Sequence, residues 1–290
     1  MKIRVPAVAG YFYPADEESL RRSIEESFRS HLGPGELPKR VEGPRSIIGL
    51  VSPHAGYVYS GPVAAHGYYQ LASDGRPDVF VILGPNHTGL GSGVSIMTSG
   101  EWRTPLGGAV IDEELAEEIS EISDIIDVDE EAHRYEHSIE VQLPFLQYLY
   151  GEVTFVPICM MMQDLRTARE VGRAISEALR GRDAVIIASS DMTHYESRAS
   201  AEYKDQESIR AIISLDEELL YDTISRLNVS MCGPGPVAAT LTAVKKLGKC
   251  EAKLLKYATS GDVTGDYSSV VGYASISMSL LKGSSRSGTR

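Results

Sequence analysis

Three short segments of the sequence place a histidine a few residues after an apolar run. His54 lies in VSPHAG, His87 in LGPNHTG, and Asp191 and His194 in IIASSDMTHY. Imidazole and carboxylate groups bind metal ions and transfer protons near neutral pH. If the three runs are parallel strands, these four side chains emerge at one edge of a sheet, where sites form in open α/β folds. A single histidine in such a position is more often a plain loop residue, but three together favour a shared site.

The thiol of Cys232 is a further candidate. It lies in the turn MCGPGP, directly before a helix predicted at 236–247. A thiol near a helix N-terminus has a lowered pKa, which favours a thiolate that acts as a ligand or nucleophile. The alternative is a small buried apolar residue. We assign Cys159 to the core, and Cys250 shows no such setting.

The segment EEAHRYEHSIEVQ carries a second cluster of polar residues. His133 and His137 are four residues apart, as are Glu136 and Glu140, a spacing that can bind metal on a helix. The predicted helix begins only near 137, so we place His133 in the preceding loop. His137 then lies at the helix start, where it either reaches the site or serves as a capping or surface residue.

Continuous apolar runs that alternate with helical patterns predict a mostly parallel or mixed sheet with helices on both faces. We therefore predict one three-layer α/β/α domain over 1–281, followed by a disordered tail at 282–290. Strands are predicted at 46–51, 78–83, 93–99, 106–111, 153–159, 183–189, 252–259 and 269–278, with a hairpin near Trp102. Helices are predicted at 16–30, 60–73, 112–122, 138–150, 163–180, 198–213, 216–226 and 236–247.

The composition restricts the classes of partner. The net charge of −12 repels phosphate backbones and anionic lipid, so we expect neither nucleic acid nor membrane as a partner. The sequence has no apolar run of the roughly 18–20 residues that a membrane helix needs. Three cysteines argue against a disulfide framework and predict a cytoplasmic protein. Nucleotide-binding loops and the GxSxG motif of serine hydrolases are absent from the sequence.

The motifs PAVAGYFYPAD, PHAGYVYSGPVAAHGY, LGPNH, EHSIEVQLPFLQ, SSDMTHY and CGPGPV, taken together, resemble the Memo family over nearly the whole chain. These MEMO1-like proteins are related in fold to the LigB-type class III extradiol dioxygenases. The resemblance implies that His54, His87 and Cys232 are metal ligands, that Asp191 lines their pocket, and that His194 is an acid/base residue. The dioxygenases bind Fe(II) with two histidines and a carboxylate, so Cys232 is a departure from their pattern.

The resemblance also implies a cofactor and partners. Fe(II) or copper is the expected ion, zinc also fits the set, and the isolated protein can lack the ion. Prokaryotic relatives tend to occur alongside radical-SAM and AMMECR1-like proteins, which implies a functional association. Eukaryotic relatives are associated with redox chemistry and with binding of phosphotyrosine peptides.

Three functions follow as hypotheses. The first is a metal-dependent, dioxygenase-like oxidoreductase that acts on a small molecule of unknown identity, with Asp191 and His194 as its catalytic residues. The second is a non-catalytic module that binds a peptide or phosphopeptide in the same pocket. The third is a metal-dependent hydrolase. In each, we expect His137, Tyr59 and Tyr195 to contact the ligand.

Overall fold

The structure is a computed structural model that describes residues 2–281, so the predicted tail at 282–290 lies outside the described residues. The strands of these residues form one mixed sheet. In chain order they are β1 (Ile3–Arg4), β2 (Ile47–Ser52), β3 (Val79–Pro85), β4 (Val94–Ile96), β5 (Glu101–Thr104), β6 (Gly107–Ile111), β7 (Asp127–Val128), β8 (Val153–Met160), β9 (Ala184–Ser189), β10 (His194–Glu196), β11 (Cys250–Thr259) and β12 (Val270–Leu280).

The helices cover both faces of this sheet. They are α1 (Glu17–Arg29), α2 (Tyr57–Asp74), α3 (Glu113–Ile122), α4 (Leu143–Tyr150), α5 (Leu165–Ala178), α6 (Arg198–Ile213), α7 (Glu217–Leu227), α8 (Pro234–Leu247) and α9 (Gly261–Thr264), with 3-10 turns at Glu131–His133 and Glu140–Gln142. In the described part of the chain, none of them combines the length and the apolarity needed to cross a bilayer.

The centre of the sheet is parallel. Strands β6, β8, β3, β9 and β2 lie side by side in that order, and each pairs in parallel with the next. The flanking strand pairs β5–β6 and β2–β12 are antiparallel. The central strands are buried along their whole length, with the exception of parts of β6 and one residue of β8, which explains their continuous apolar sequences.

Two consecutive residues of β2 show the layering. A Cβ at Gly49 would lie 3.0 Å from Val244 of α8, whereas the Leu50 side chain lies against Gly67 of α2, where a Cβ would come within 2.6 Å. Because successive residues of a strand point to opposite faces, α8 and α2 lie on opposite sides of the sheet. The predicted three-layer α/β/α architecture with a mixed sheet is therefore confirmed.

Several predicted boundaries are wrong for local reasons. Helix α2 begins at Tyr57 rather than at residue 60, and the Ser60 hydroxyl, inside the helix, donates back to the Ala55 carbonyl. The helix predicted at 138–150 begins as a 3-10 turn, and α4 itself starts at Leu143, with Pro144 in its first turn. The hairpin near Trp102 is formed by β5 and β6, not by the segment 93–99.

Candidate metal centre

The candidate site lies at the carboxyl edge of three neighbouring parallel strands. Strand β9 pairs with β3 on one side and with β2 on the other. His54 follows the end of β2, His87 the end of β3, and Asp191 the end of β9, each by two residues. The parallel pairing brings these loops to the same edge, as the sequence predicts.

Three donor groups converge there. One ligand atom from each of His54, His87 and Cys232 lies within 4.8 Å of the other two. Nε2 of His54 is 3.3 Å from Sγ of Cys232, and the ring centroids of the two histidines are 5.2 Å apart. His54 is buried, Cys232 is half-buried, and the side chain of His87 is 34% exposed, so the group opens to solvent on one side. These three residues could hold a metal ion.

The hydrogen bonds of the two imidazoles fit that role. Nδ1 of His54 lies 2.9 Å from the Ser189 hydroxyl, and Nδ1 of His87 lies 2.9 Å from Oε1 of Glu136. Metal-binding histidines are typically held in this way through the ring nitrogen that does not bind the ion. In both rings Nε2 remains the nitrogen available for a metal.

The protonation of the imidazoles also fits. Burial, followed by the charges of His137, His87 and His194, places the pKa of His54 well below its usual value. Burial likewise lowers the pKa of His137 to about 4. A buried imidazole is therefore neutral near neutral pH, which is the form that binds metal ions.

The thiol of Cys232 differs from the expectation. Burial raises its pKa, and the neighbouring Asp191 carboxylate raises it further. Sγ accepts the backbone N–H of Asp191 at 3.2 Å, but this bond does not offset the loss of solvation. The prediction of a lowered pKa was wrong, because a position before a helix counts for less than burial beside a carboxylate. Metal binding through the thiolate must release the thiol proton.

The carboxyl group of Asp191 is hydrogen-bonded to the backbone of the candidate ligand His54. Its Oδ1 accepts the backbone N–H of His54 at 2.8 Å. Burial raises the pKa of Asp191 to about 6, against the bond from His54 and the charge of His194. The carboxyl group therefore holds the loop that carries His54.

His194 lies on β10, the short strand that pairs with β12. Its Nδ1 is 2.9 Å from the Ser230 carbonyl oxygen, which can only accept a hydrogen bond, so Nδ1 carries a proton and Nε2 is left to accept one. When protonated, His194 acts electrostatically on both His54 and Asp191. His194 thus lies near the candidate metal group without joining it.

Two tyrosines proposed to contact the ligand are accessible. The side chain of Tyr195 follows His194 and is 78% exposed, and its backbone has a φ of 58°. That left-handed conformation is unfavourable for a bulky aromatic residue, and it coincides with an irregularity in the pairing of β10 with β12 between His194 and Glu196. Tyr59 lies in the first turn of α2 and is partly exposed.

His137 packs against both candidate histidine ligands. Its ring stacks on His87 with centroids 4.5 Å apart, approaches His54 edge-on at 5.4 Å and contacts Phe12 at 4.6 Å. It precedes the 3-10 turn rather than starting a helix. His87, Glu136 and His137 form a second group with metal-binding spacing.

The carboxylate of this second group, Glu136, already accepts four hydrogen bonds. Glu136 is buried and accepts the backbone N–H groups of His87, His137 and Ser138 in addition to Nδ1 of His87. A carboxylate with so many donors is better suited to orienting His87 than to binding an ion itself.

Comparison with known proteins agrees with this architecture. Residues 4–277 match the family model described as "Memo-like protein". The chain belongs to the Memo family. It is 59% identical to a MEMO1 family protein of Methanopyrus kandleri, over 94% of this chain and 98% of that protein. It is 56% identical to one of Methanothermobacter thermautotrophicus, over 95% of this chain and 100% of the relative.

The Memo-family fold also has a distant structural neighbour. The crystal structure of an uncharacterized protein from Escherichia coli K12 matches with a TM-score of 0.53 and 14% identity, covering 80% of this chain and 99% of that one. At that identity the likeness concerns the fold alone.

The Memo-family site includes three residues whose roles our sequence analysis did not find. They are Glu136, Gln142 and Ser189, and all three are buried. Glu136 and Ser189 are hydrogen-bonded to the candidate ligands His87 and His54, and Gln142 is hydrogen-bonded to Ser189. The one available signal was polar residues within apolar surroundings, as in EHSIEVQLPF. Their partners lie 47 to 135 residues away along the chain, so their roles depend on the fold.

Proposed function

We propose that this Memo-family chain is a metal-dependent oxidoreductase that acts on a small molecule and uses His54, His87 and Cys232 to hold Fe(II) or copper. The observation that carries the proposal is the convergence of two imidazoles and one thiol, each histidine being anchored through Nδ1. Such an ion would supply one-electron chemistry and open coordination positions, and a thiolate favours softer metals over Mg²⁺ or Ca²⁺.

The other pocket residues have roles that follow from their contacts. His194 would accept a substrate proton at Nε2, since Nδ1 is bonded to the Ser230 carbonyl. Asp191 keeps the His54 loop in place through the backbone N–H. His137 would contact the ligand beside His87, and Tyr59 and Tyr195 would contact it through their exposed rings.

The exposed, left-handed Tyr195 supports a second candidate, a module that binds a peptide in this pocket without catalysis. In that case, a peptide would bind equally well to the metal-free protein and to a Cys232→Ser variant. Binding or turnover that depends strictly on the metal would contradict the module and favour the oxidoreductase.

Anaerobic reconstitution with Fe(II), Cu(I) or Zn(II), followed by elemental analysis, tests the metal site. We expect about one ion per chain in the wild type and a loss of the ion in His54→Ala, His87→Ala and Cys232→Ser. Cys250→Ser is the matched control, because this half-buried thiol begins β11 and lies outside the candidate group. Absence of metal from the wild type, or full occupancy in Cys232→Ser, would overturn the site.

The metal-loaded forms also separate redox chemistry from hydrolysis. Consumption of dioxygen by the iron or copper form, but not by the zinc form, supports the oxidoreductase. Hydrolysis of ester or phosphate substrates by the zinc form without dioxygen supports a metal hydrolase instead.

A further inference from the structure

A chain of buried hydrogen bonds lies behind His54. The Ser189 hydroxyl oxygen is 2.9 Å from Nδ1 of His54, 2.7 Å from Nε2 of Gln142 and 2.6 Å from the Ser138 carbonyl oxygen. Ser189, Gln142 and Ser138 are all buried, so water does not compete for these bonds. The Ser189 hydroxyl has a single proton for these three contacts, so any other hydrogen in them must come from an N–H group.

The orientation of the Gln142 amide is fixed by its other partners. Nε2 lies 3.0 Å from the Pro53 carbonyl oxygen, and Oε1 accepts the hydroxyl of Tyr68. A carbonyl oxygen can only accept, so the amide nitrogen must face Pro53. The same nitrogen then directs its second hydrogen at the Ser189 oxygen.

The position of the remaining protons follows from counting donors. The Ser138 carbonyl can only accept, so it takes the single proton of the Ser189 hydroxyl. The Ser189 oxygen already receives one hydrogen from Gln142 and has one lone pair left. All three contacts of the Ser189 hydroxyl are satisfied only if Nδ1 of His54 donates to that lone pair.

We propose that Ser189, held in place by Gln142, is a positioning residue that fixes His54 as the tautomer protonated on Nδ1. This tautomer leaves an unprotonated Nε2, the atom that faces Cys232 Sγ at 3.3 Å. The consequence for metal binding rests on the proposed function, whereas the tautomer itself is a property of the metal-free chain. Neither residue touches the metal-facing nitrogen, so both act through His54.

The two imidazoles are held in chemically different ways. His87 donates to a carboxylate, which adds negative charge behind the ring, whereas His54 donates to a neutral hydroxyl. Ser189 therefore sets the tautomer of its ligand without making the site more anionic. Removal of its hydroxyl should change proton placement rather than net charge.

Nitrogen-15 NMR of the metal-free full chain, with labelled histidine and at neutral pH, tests the tautomer directly. The His54 signals are identified by their loss in His54→Gln. In the wild type we expect Nδ1 to be protonated and Nε2 to be unprotonated, and in Ser189→Ala we expect the form protonated on Nε2 to increase. A wild-type His54 protonated on Nε2, or an unchanged tautomer in Ser189→Ala, would overturn the proposal.

Zn(II) affinity, measured by competition with a chromophoric chelator, tests the consequence. We expect Ser189→Ala and Gln142→Met to weaken Zn(II) binding by about tenfold or more, the usual effect of losing such a partner. Gln147→Met is the matched control. This buried glutamine accepts the Thr104 hydroxyl and donates to the Gly107 carbonyl at 3.0 Å, so it has the same bonding pattern away from the site.

The pair of glutamine variants separates positioning from general destabilisation. Equal loss of affinity in Gln142→Met and Gln147→Met would contradict a specific role for the Ser189–Gln142 pair. If the wild type binds none of Fe(II), Cu(I) and Zn(II), the proposed metal function fails, and the NMR measurement alone then decides the tautomer.

Discussion

At the scale of single residues, the carboxylate of Glu136 affects the candidate site through its hydrogen bond to Nδ1 of His87. Burial would raise its pKa, but the hydrogen bonds from His87 and the charges of His87 and His137 outweigh burial and lower the pKa to about 2. The group is therefore ionised at neutral pH. An ionised acceptor on Nδ1 of His87 makes Nε2 a stronger ligand.

We predict that Glu136→Gln weakens Zn(II) binding by about 10- to 100-fold, since His87 loses its anionic partner. Chelator competition measures this change. Glu217→Gln is the control, because that carboxylate is also buried and ion-paired, with Arg169 and Lys245, but lies on α7 outside the candidate group. We expect the control to lose stability and keep its affinity. An unchanged affinity in Glu136→Gln would show that the carboxylate does not tune His87.

At the scale of elements, the N-terminal segment anchors the loop that carries Glu136 and His137. The guanidinium of Arg4 on β1 donates to the carbonyl oxygens of His133 and Glu136 and to the carboxylate of Glu140, each at 2.6 Å. Glu140 also accepts the Tyr13 hydroxyl at 2.6 Å. One buried arginine thus connects β1 to the loop that carries Glu136 and His137.

We predict that Arg4→Ala lowers the free energy of unfolding by about 3–5 kcal/mol, because it leaves a buried carboxylate without its charged partner. Arg22→Ala is the comparison, since its bond to Glu18 lies on the exposed face of α1 and such pairs contribute about 0.5 kcal/mol. Urea unfolding of both variants measures the difference. Equal losses would mean that the Arg4 contacts contribute no more than a surface pair.

The elements also show what the sequence can and cannot predict. Strands β2, β3 and β9 were found because burial on both faces produces unbroken apolar runs. Strands β1, β7 and β10 have only two or three residues, and their conformation depends on partners distant in the chain. The convergence of His54 and His87 followed from parallel pairing alone. The bonds of Glu136 and Ser189 did not, because they depend on how the 133–142 loop folds against the sheet edge.

At the scale of the whole molecule, folding buries several neutral imidazoles. Burial, together with the charge of Arg4, lowers the pKa of His133 to about 3. In the unfolded chain a histidine has a pKa of about 6.5. As the pH falls, the unfolded state therefore takes up this proton first. Stability that is fully present above about pH 6.5 is lost progressively towards about pH 3.

We predict that the free energy of unfolding falls with decreasing pH less steeply in His133→Phe than in the wild type. The difference in slope should be about 1.4 kcal/mol per pH unit between about pH 4 and 6, which corresponds to one proton. Asp191, with its raised pKa of about 6, acts in the opposite direction below that pH, but it is present in both proteins and cancels in the comparison.

Urea unfolding at a series of pH values, on the metal-free chain, measures this slope. Phenylalanine can keep the edge-on ring contact with Trp102, where the two centroids are now 5.7 Å apart, so the core need not be lost with the titrating group. His31→Phe serves as the control, because His31 is exposed and folding does not remove it from water. If His133→Phe keeps the wild-type slope, the buried imidazole titrates alike in both states, and acid sensitivity must arise from other groups.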